Sequence, residues 1–432
     1  MPDRLTVMFF PEAAYGPTNN CVGIGAVLHQ MGHRVVFAAE SSYEGTLAPL
    51  GFEEELVRLN PPPATEEEPG QFWKDFIRDT SPEFRKPTIV QLETFIKPTW
   101  QALLDTAHSV EGQLSDVIER VRPDVIVEDN VLCFPAITTA GVPWVRVLSC
   151  NPLELKDPDL APVFSGYPAA DRSGWTEFQT EYRRVHHDIW ADFDQWCRER
   201  GTEGLPDLEF IPESRWLNLY LYPAVVDYRR SRPPASTWHR LETSVRSTDE
   251  PFNIPPELGT NGALIYLSLG SLGSADVDLM KRLIGALADT PHRYIVSKGP
   301  QADLYDLAPN MWGGQFVPQT SILPQVDLII THGGNNTTTE GFHFGKPMIA
   351  LPLFWDQYDN AQRLDETGFG VRLATYEFEP AQLRAAIDRL LSDSDLRRRM
   401  ATEAERLQSQ PGTFKAANLI ERLGISREPV TT

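Results

Sequence analysis

Polar side chains that could hold a phosphorylated nucleoside are concentrated between positions 332 and 340. His332 can donate a hydrogen bond to an anion, while Asn336 and Glu340 are four residues apart and therefore share one face of a helix. The amino end of a helix carries free N–H groups and a positive partial charge, so it binds phosphate without a lysine. A carboxylate one turn further along can hold the hydroxyls of a ribose. A turn histidine and a solvated helix charge would be the ordinary explanations, but the ordered set favours a nucleotide site.

These residues need a strand, a tight turn and a helix to position them. The apolar run at 326–330 is rich in β-branched residues and too short for a helix, which predicts a buried strand. The two glycines at 333–334 predict the turn. Asn336 or Thr337 is the predicted start of the helix, and Gly345 its end. Another apolar strand follows, so the segment is predicted to be a βαβ unit with an anion site at its bend.

Flanking motifs extend this pattern on both sides. Phe316-Val317-Pro318-Gln319 precedes the bend, and Asp356-Gln357 follows it. With these motifs the segment resembles the donor-binding signature of family 1 glycosyltransferases, the GT-B enzymes that include plant secondary-metabolite and bacterial macrolide glycosyltransferases. The resemblance implies an α/β fold, GT-B, with two doubly wound Rossmann-like domains facing across a cleft. It further implies an inverting hexosyltransferase that binds its donor in the second domain and a lipophilic small acceptor in the first.

The resemblance also implies a role for each motif in binding a UDP- or dTDP-sugar, of which we expect UDP. Val317 and Gln319 would meet the base, Glu340 the ribose, and the pair at 356–357 the sugar hydroxyls. Phe316 stands where many relatives carry a stacking tryptophan, and its ring still offers a π-face. The implied donor-binding residues are Ser271, Phe316, Val317, Gln319, His332, Gly334, Asn336, Thr337, Glu340, Asp356 and Gln357. Among them Ser271, His332, Asn336 and Thr337 would meet the diphosphate.

The general base is where the chain departs from the family pattern. The family places a histidine in the loop after the first strand, and ungapped matching puts Pro17 there, with Tyr15 in the same acceptor loop. Asp129 matches the aspartate that orients that histidine. Asp129 or Glu12 could act as base directly, or the acceptor could be a nucleophile that needs little help. Loss of general-base catalysis slows an enzyme by about 10²–10⁴-fold without abolishing positioning, so we favour an active enzyme.

Other functions remain as alternatives. Pro17 also fits a catalytically silent auxiliary protein that binds a nucleotide sugar. A sugar-nucleotide epimerase of the same fold is disfavoured because Asp356-Gln357 resembles the sugar contacts of transferases. A nicotinamide oxidoreductase is disfavoured because no G-x-G-x-x-G follows the first strand. The sequence predicts neither a metal nor a cofactor beyond the co-substrate. The two D-x-D matches, at 276–278 and 393–395, fall at predicted helix starts, where carboxylates are favoured in any case.

Composition and net charge exclude some classes of partner. The chain has 432 residues, a formal net charge of −21 and four cysteines without metal-ligand spacing. This charge argues against nucleic acid or an anionic membrane as partner. No apolar run is long enough to span a bilayer, and no signal peptide is visible, so we expect a cytoplasmic protein.

The domain organisation is predicted from glycines that recur at the ends of predicted helices. A helix-ending glycine followed by an apolar strand recurs at positions 32, 141 and 345, on both sides of a proline-rich middle. The predicted parts are an acceptor domain, a linker, a donor domain and a C-terminal helix returning to the first domain, at 1–221, 222–262, 263–405 and 406–432. The segment 60–70 is predicted to be a mobile loop. The aromatic-rich span 152–201 is predicted to form amphipathic helices, whose aromatics line either the core or an acceptor wall.

Overall fold

Two parallel β-sheets form the frame of the protein, as seen in a computed structural model that describes residues 4–58 and 78–432. The first sheet has the order β3-β2-β1-β4-β5-β6-β7 and the second the order β10-β9-β8-β11-β12-β13. The strands of the first sheet are β1 Thr6–Pro11, β2 Arg34–Glu40, β3 Glu53–Val57, β4 Val125–Asp129, β5 Trp144–Leu148, β6 Leu217–Tyr220 and β7 Trp238–Arg240. Those of the second are β8 Leu264–Ser268, β9 Arg293–Ser297, β10 Met311–Gly314, β11 Leu328–Thr331, β12 Met348–Ala350 and β13 Gly370–Arg372.

Helices join successive strands and cover both sheets, which is the doubly wound arrangement expected of all-parallel sheets. They are α1 Tyr15–Gln30, α2 Thr88–Gln91, α3 Lys97–Val121, α4 Pro135–Thr138, α5 Trp175–Glu199, α6 Gly270–Gly273, α7 Val277–Leu287, α8 Gln319–Ile322, α9 Asn335–His343, α10 Gln357–Glu366, α11 Pro380–Ser392, α12 Ser394–Ser409 and α13 Gly412–Ser426. The predicted fold class is confirmed.

Strand order reverses direction at one place in each sheet. The chain winds one way from β1 and the other way from β4, and the same happens between β8 and β11. In open α/β sheets ligands bind in the crevice that this reversal leaves at the carboxyl ends of the strands. Glu12 and Asp129 lie at this crevice of the first sheet, and Ser271 and His332 lie at that of the second. We call these two places of reversal, between β1 and β4 and between β8 and β11, the switch points. The topology therefore brings the predicted site residues to the two switch points.

The first helix begins earlier than the sequence suggested. The predicted acceptor loop after the first strand includes positions 15 and 17, but α1 already starts at Tyr15. Tyr15 and Pro17, predicted as acceptor-loop residues, therefore occupy the first helical turn. Proline is tolerated there because the N–H groups of that turn have no partner within the helix.

Two further segments differ from expectation or lie outside the description. Strand β7 falls within 222–262, which was predicted as linker, so the first sheet takes up part of that segment. The aromatic-rich span contains a single long helix, α5, and its Phe178 and Phe193 are core residues. The predicted mobile loop at 60–70 lies outside the described residues.

The end of the chain packs against the first domain. Ala416, Ile420 and Leu423 of α13 join the core formed by β1 and α1. Beyond the helix, the backbone N–H of Val430 donates to the carbonyl of Trp216 at 2.8 Å. No helix of the described part of the chain is both long and apolar enough to cross a membrane.

Candidate active site

The predicted anion site is a strand–turn–helix bend. Strand β11 ends at Thr331, Gly333 takes a positive φ of 86°, and α9 begins at Asn335, one residue before the predicted start. The N-cap residue is Gly334, and no side chain caps the helix. The N–H groups of the first turn and the positive end of the helix dipole are therefore available to an anion.

His332 is held between the two switch-point loops of the donor domain. A Cβ added to Gly270 would come within 2.9 Å of the imidazole, and one added to Gly334 within 2.6 Å of its Nε2. Burial lowers the pKa of His332 to about 4, so the ring is neutral near pH 7 and carries one N–H. Its Nδ1 lies 3.3 Å from the hydroxyl of Thr331. Ser271 follows Gly270 in the one-turn helix α6, so the fold brings both predicted phosphate contacts to one place.

A chain of hydrogen bonds surrounds the buried Glu340, the predicted ribose ligand. The Tyr266 hydroxyl donates to Gln319 Oε1 at 2.9 Å. The amide of Gln319 in turn donates to Glu340 and, at 3.3 Å, to Thr337 Oγ1. Arg246, which belongs to none of the sequence motifs, donates to the other oxygen of Glu340 at 3.3 Å. Burial raises the pKa of Glu340 and the Arg246 charge opposes that rise.

Phe316, the expected base-stacking residue, lies on the surface near the first domain. The residue is 55% exposed, and Val317 beside it is partly buried. The ring of Phe316 meets that of Tyr15 from α1, with centroids 5.6 Å apart and planes inclined by 41°. One aromatic residue from each domain therefore lies at this edge of the cleft.

The pair Asp356 and Gln357 is buried and already bonded. Asp356 Oδ2 accepts hydrogen bonds from the backbone N–H of Asn151, at 2.8 Å, and from Asn360 Nδ2, at 3.3 Å. Gln357 Oε1 accepts from the N–H of Leu353 at 3.0 Å. Burial raises the pKa of Asp356 to about 6. Asn151 belongs to the first domain, so this pair lies where the two domains meet.

Asn336 also bridges the domains. Its Nδ2 donates to the carbonyl of Gly16 at 2.9 Å, and its Oδ1 accepts from Asn20 Nδ2 at 3.0 Å. In this state its amide is engaged by α1, whereas the resemblance implies a contact with the diphosphate. Asn20 lies one helical turn after Pro17, and that spacing was the signal by which the sequence could have revealed it.

Asp129 is the most distinctive carboxyl group of the cleft. It is 2% exposed, its Oδ1 accepts from the Ser149 hydroxyl at 2.6 Å, and its Oδ2 has no partner. Burial raises its pKa to about 7, against the lowering effect of the hydrogen bond from Ser149. Glu12 lies beside it, because the Glu12 N–H donates to the Asp129 carbonyl at 2.8 Å. Burial likewise raises the pKa of Glu12 to about 7.

The donor helix is tied to this carboxyl group through Ser149. Asn335, the first residue of α9, donates from Nδ2 to the Ser149 carbonyl at 2.8 Å and to the Leu221 carbonyl at 3.0 Å. The predicted base and the predicted anion site thus lie on opposite sides of one short contact. None of these partners could be selected from sequence spacing alone.

The first acid of each D-x-D match has a structural role. Asp276 Oδ1 accepts from the N–H of Leu279 at 3.1 Å, and Asp393 Oδ1 from that of Leu396 at 2.8 Å. Each caps the helix that follows it. Within 4–58 and 78–432, no group of three or more histidine, cysteine or acidic side chains is arranged to hold a metal ion.

Two facing Rossmann-like domains, with a candidate anion-binding bend in the second, define the GT-B fold. The family described as erythromycin biosynthesis protein CIII-like, C-terminal domain, matches residues 281–423. The chain is 34% identical over 422 residues to the NDP-glycosyltransferase YjiC of Bacillus subtilis, covering 94% of both chains. It is 27% identical over 425 residues to oleandomycin glycosyltransferase of Streptomyces antibioticus, covering 96% of this chain and 90% of that one.

Solved structures agree on the fold. The glycotransferase of kitacinnamycin superposes with a TM-score of 0.71 at 22% identity, covering 98% of this chain and 99% of that one. The chain belongs to the family 1 glycosyltransferases. It is a glycosyltransferase of the natural-product type.

Proposed function

We propose that this protein is an inverting glycosyltransferase that moves a hexose from a UDP- or dTDP-sugar to a hydrophobic small molecule, with Asp129 as general base. The observation that carries the proposal is the unpartnered Oδ2 of a buried Asp129 whose pKa is raised to about 7. A general base is most effective when its pKa lies near the working pH.

The transfer step assigns each change in bonding to a group of the site. Asp129 Oδ2 takes the proton of the acceptor hydroxyl while the acceptor oxygen attacks the anomeric carbon of the donor. The bond from that carbon to the diphosphate oxygen breaks, and the diphosphate leaves with the electron pair. Its negative charge is stabilised by the first-turn N–H groups of α9 and by the neutral imidazole of His332.

The nucleoside half of the donor is matched by the bonded chain around Glu340. A carboxylate can accept several hydrogen bonds, and Glu340 uses one oxygen for Gln319 and the other for Arg246. It retains capacity for the two hydroxyls of a ribose, whereas a deoxyribose offers one. This supports a uridine donor over a thymidine donor.

Aromatic contacts between the domains support a lipophilic acceptor. Trp355 of the donor domain packs against Trp100 and Phe164 of the first domain, with ring centroids 5.0 Å and 4.5 Å apart. The neighbouring Phe354 packs on Phe84 at 4.8 Å. An aglycone bound beside these rings would be surrounded by apolar surface. The name of one relative supports the same acceptor class, since it specifies oleandomycin.

A turnover assay tests the proposal. The purified protein is incubated with UDP-glucose or dTDP-glucose and a mixture of phenolic and polyketide acceptors, and both nucleoside diphosphate release and glycoside mass are followed. We expect acceptor-dependent release with one of the donors. Nucleotide binding without release or glycoside would instead identify the silent auxiliary protein that Pro17 suggests. Absence of binding to either nucleotide would refute the donor assignment.

A further inference from the structure

Arg246 reaches the candidate nucleoside site from outside the donor sheet. It lies in the segment between β7 and β8, and its Nη1 donates to Glu340 Oε1 at 3.3 Å. Its Nε and Nη2 hold both oxygens of Asp249, at 2.9 Å and 3.0 Å. The side chains of Arg246, Glu340 and Asp249 are 12%, 5% and 14% exposed. Because these side chains are largely shielded from solvent, the arginine shared between the two carboxylates is held in one geometry.

Arg246 also controls the second partner of Glu340. Asp249 Oδ2 accepts from the backbone N–H of Thr320 at 2.9 Å and thereby anchors the start of helix α8. Gln319, the first residue of that helix, donates to the other oxygen of Glu340. The guanidinium thus contacts one oxygen of Glu340 directly. Through Asp249 it also positions Gln319, which donates a hydrogen bond to the other oxygen.

The backbone of Arg246 is placed by the first domain. A Cβ added to Gly23 of α1 would lie 3.5 Å from both the N and the Cα of Arg246, so the helix passes directly against this residue. The guanidinium is therefore positioned from one domain and acts in the other. Of the groups whose charge acts on Glu340, Arg246 favours the ionised carboxylate and Asp249 opposes it. Tyr266, the remaining titratable group of this cluster, bonds Gln319.

We propose that Arg246 is a positioning residue for the nucleotide: it holds Glu340 ionised and oriented so that the carboxylate accepts the ribose hydroxyls. The inference rests on the proposed function, because it takes the ribose as the ligand of Glu340. Without the guanidinium, Glu340 would be a buried carboxyl group facing Asp249 with no compensating charge. Such a group takes up a proton or turns away, and either change removes acceptors from the ribose.

A double-mutant cycle on nucleotide affinity tests the proposal. Calorimetry measures the Kd of UDP and of dTDP for the wild type, Arg246→Met, Glu340→Gln and the double variant. We expect Arg246→Met to weaken the preferred nucleotide roughly tenfold or more, as for loss of a charge-assisted hydrogen bond. We expect the double variant to bind about as well as Glu340→Gln alone, because both changes remove the same interaction. Arg246→Lys retains the charge and should recover part of the loss.

Arg282→Met is the matched control. Arg282 lies in the donor domain and bonds the carbonyls of Tyr376 and Phe378, away from the nucleoside cluster. We expect it to leave nucleotide affinity unchanged. Additive losses in the cycle, or a wild-type Kd in Arg246→Met, would overturn the inference. If Arg246→Met does not fold, the cycle is run with Arg246→Lys, and additivity there would overturn it equally. Failure of the wild type to bind either nucleotide would instead refute the proposed donor site.

Discussion

Replacing Asp129 by asparagine separates a catalytic role from a structural one, because activity and stability should move in opposite directions. The pKa of Asp129 rises on folding from 3.8 to about 7. Between these values the folded state binds more protons than the unfolded chain, so the free energy of unfolding falls as the pH rises through this window. At pH 8 the ionised carboxylate therefore costs the folded protein roughly 4 kcal/mol.

Asp129→Asn removes this cost without removing the hydrogen bond from Ser149. The amide oxygen can still accept from the hydroxyl, and we expect the new NH₂, which replaces an oxygen without a partner, to find no acceptor. Burial of this unsatisfied donor destabilises the folded state and offsets much of the roughly 4 kcal/mol. The net stabilisation of the variant at pH 8 is then about 1 kcal/mol. We expect the Tm at pH 8 to rise by roughly 1 °C. At pH 5 the wild-type carboxyl is protonated in the folded state, and this advantage should disappear.

Activity should fall in the same variant. An amide cannot take the acceptor's proton, so transfer to hydroxyl acceptors should drop by roughly 10²-fold or more. The wild-type rate should rise as the pH increases through about 7, the pKa of Asp129, and the residual rate of the variant should lack that step.

Glu12→Gln is the comparison variant, since burial raises the pKa of Glu12 to the same region. Steady-state kinetics from pH 5 to 9 and thermal unfolding at both ends of this range decide which of the two carboxylates is the general base. A silent Asp129→Asn with a crippled Glu12→Gln would place the base at the tip of β1 and refute our assignment. If both variants are silent on a competent acceptor, no protein base is used.

The remaining predictions concern the anion site and the missing histidine. His332→Ala should lower transfer by about 10²-fold or more by loss of a donor to the leaving diphosphate; unchanged UDP affinity and turnover would contradict the donor-site assignment. Gly334→Ala, at an ordinary negative φ, should displace the imidazole, since its Cβ would lie 2.6 Å from Nε2, and weaken UDP binding in calorimetry while the Tm changes little. Pro17→His, in a helical turn that tolerates either residue, should raise or preserve activity on weakly acidic alcohols more than on phenols or amines; a uniform change across acceptors would argue against a base function at this position. Chelation with EDTA should leave turnover intact, and a loss restored by magnesium or manganese would show that phosphate neutralisation depends on a metal.

Local sequence was sufficient for the fold class and for the bend at the donor site. Short β-branched runs such as 326–330, each closed by glycine and a helical pattern, fix strand, turn and helix through interactions within a few residues. The resemblance of the donor motifs depends on the same short spacings, for which His332 and Glu340 are the clearest examples. Strand β7 was not predicted, because its three residues lie in a proline-rich stretch without strand periodicity.

Tertiary structure alone decided which side chains complete the site. Asn151 meets Asp356 only because the two domains pack face to face, and Arg246 meets Glu340 only because the segment between β7 and β8 is held against α1. Chain separation of this size leaves no periodic pattern to read. The pKa of Asp129 belongs to the same class of property, since it depends on exclusion of water by surrounding elements and not on neighbouring residues in the chain. The sequence determined that a carboxylate ends β4, and tertiary packing around it determined how readily that carboxylate takes up a proton.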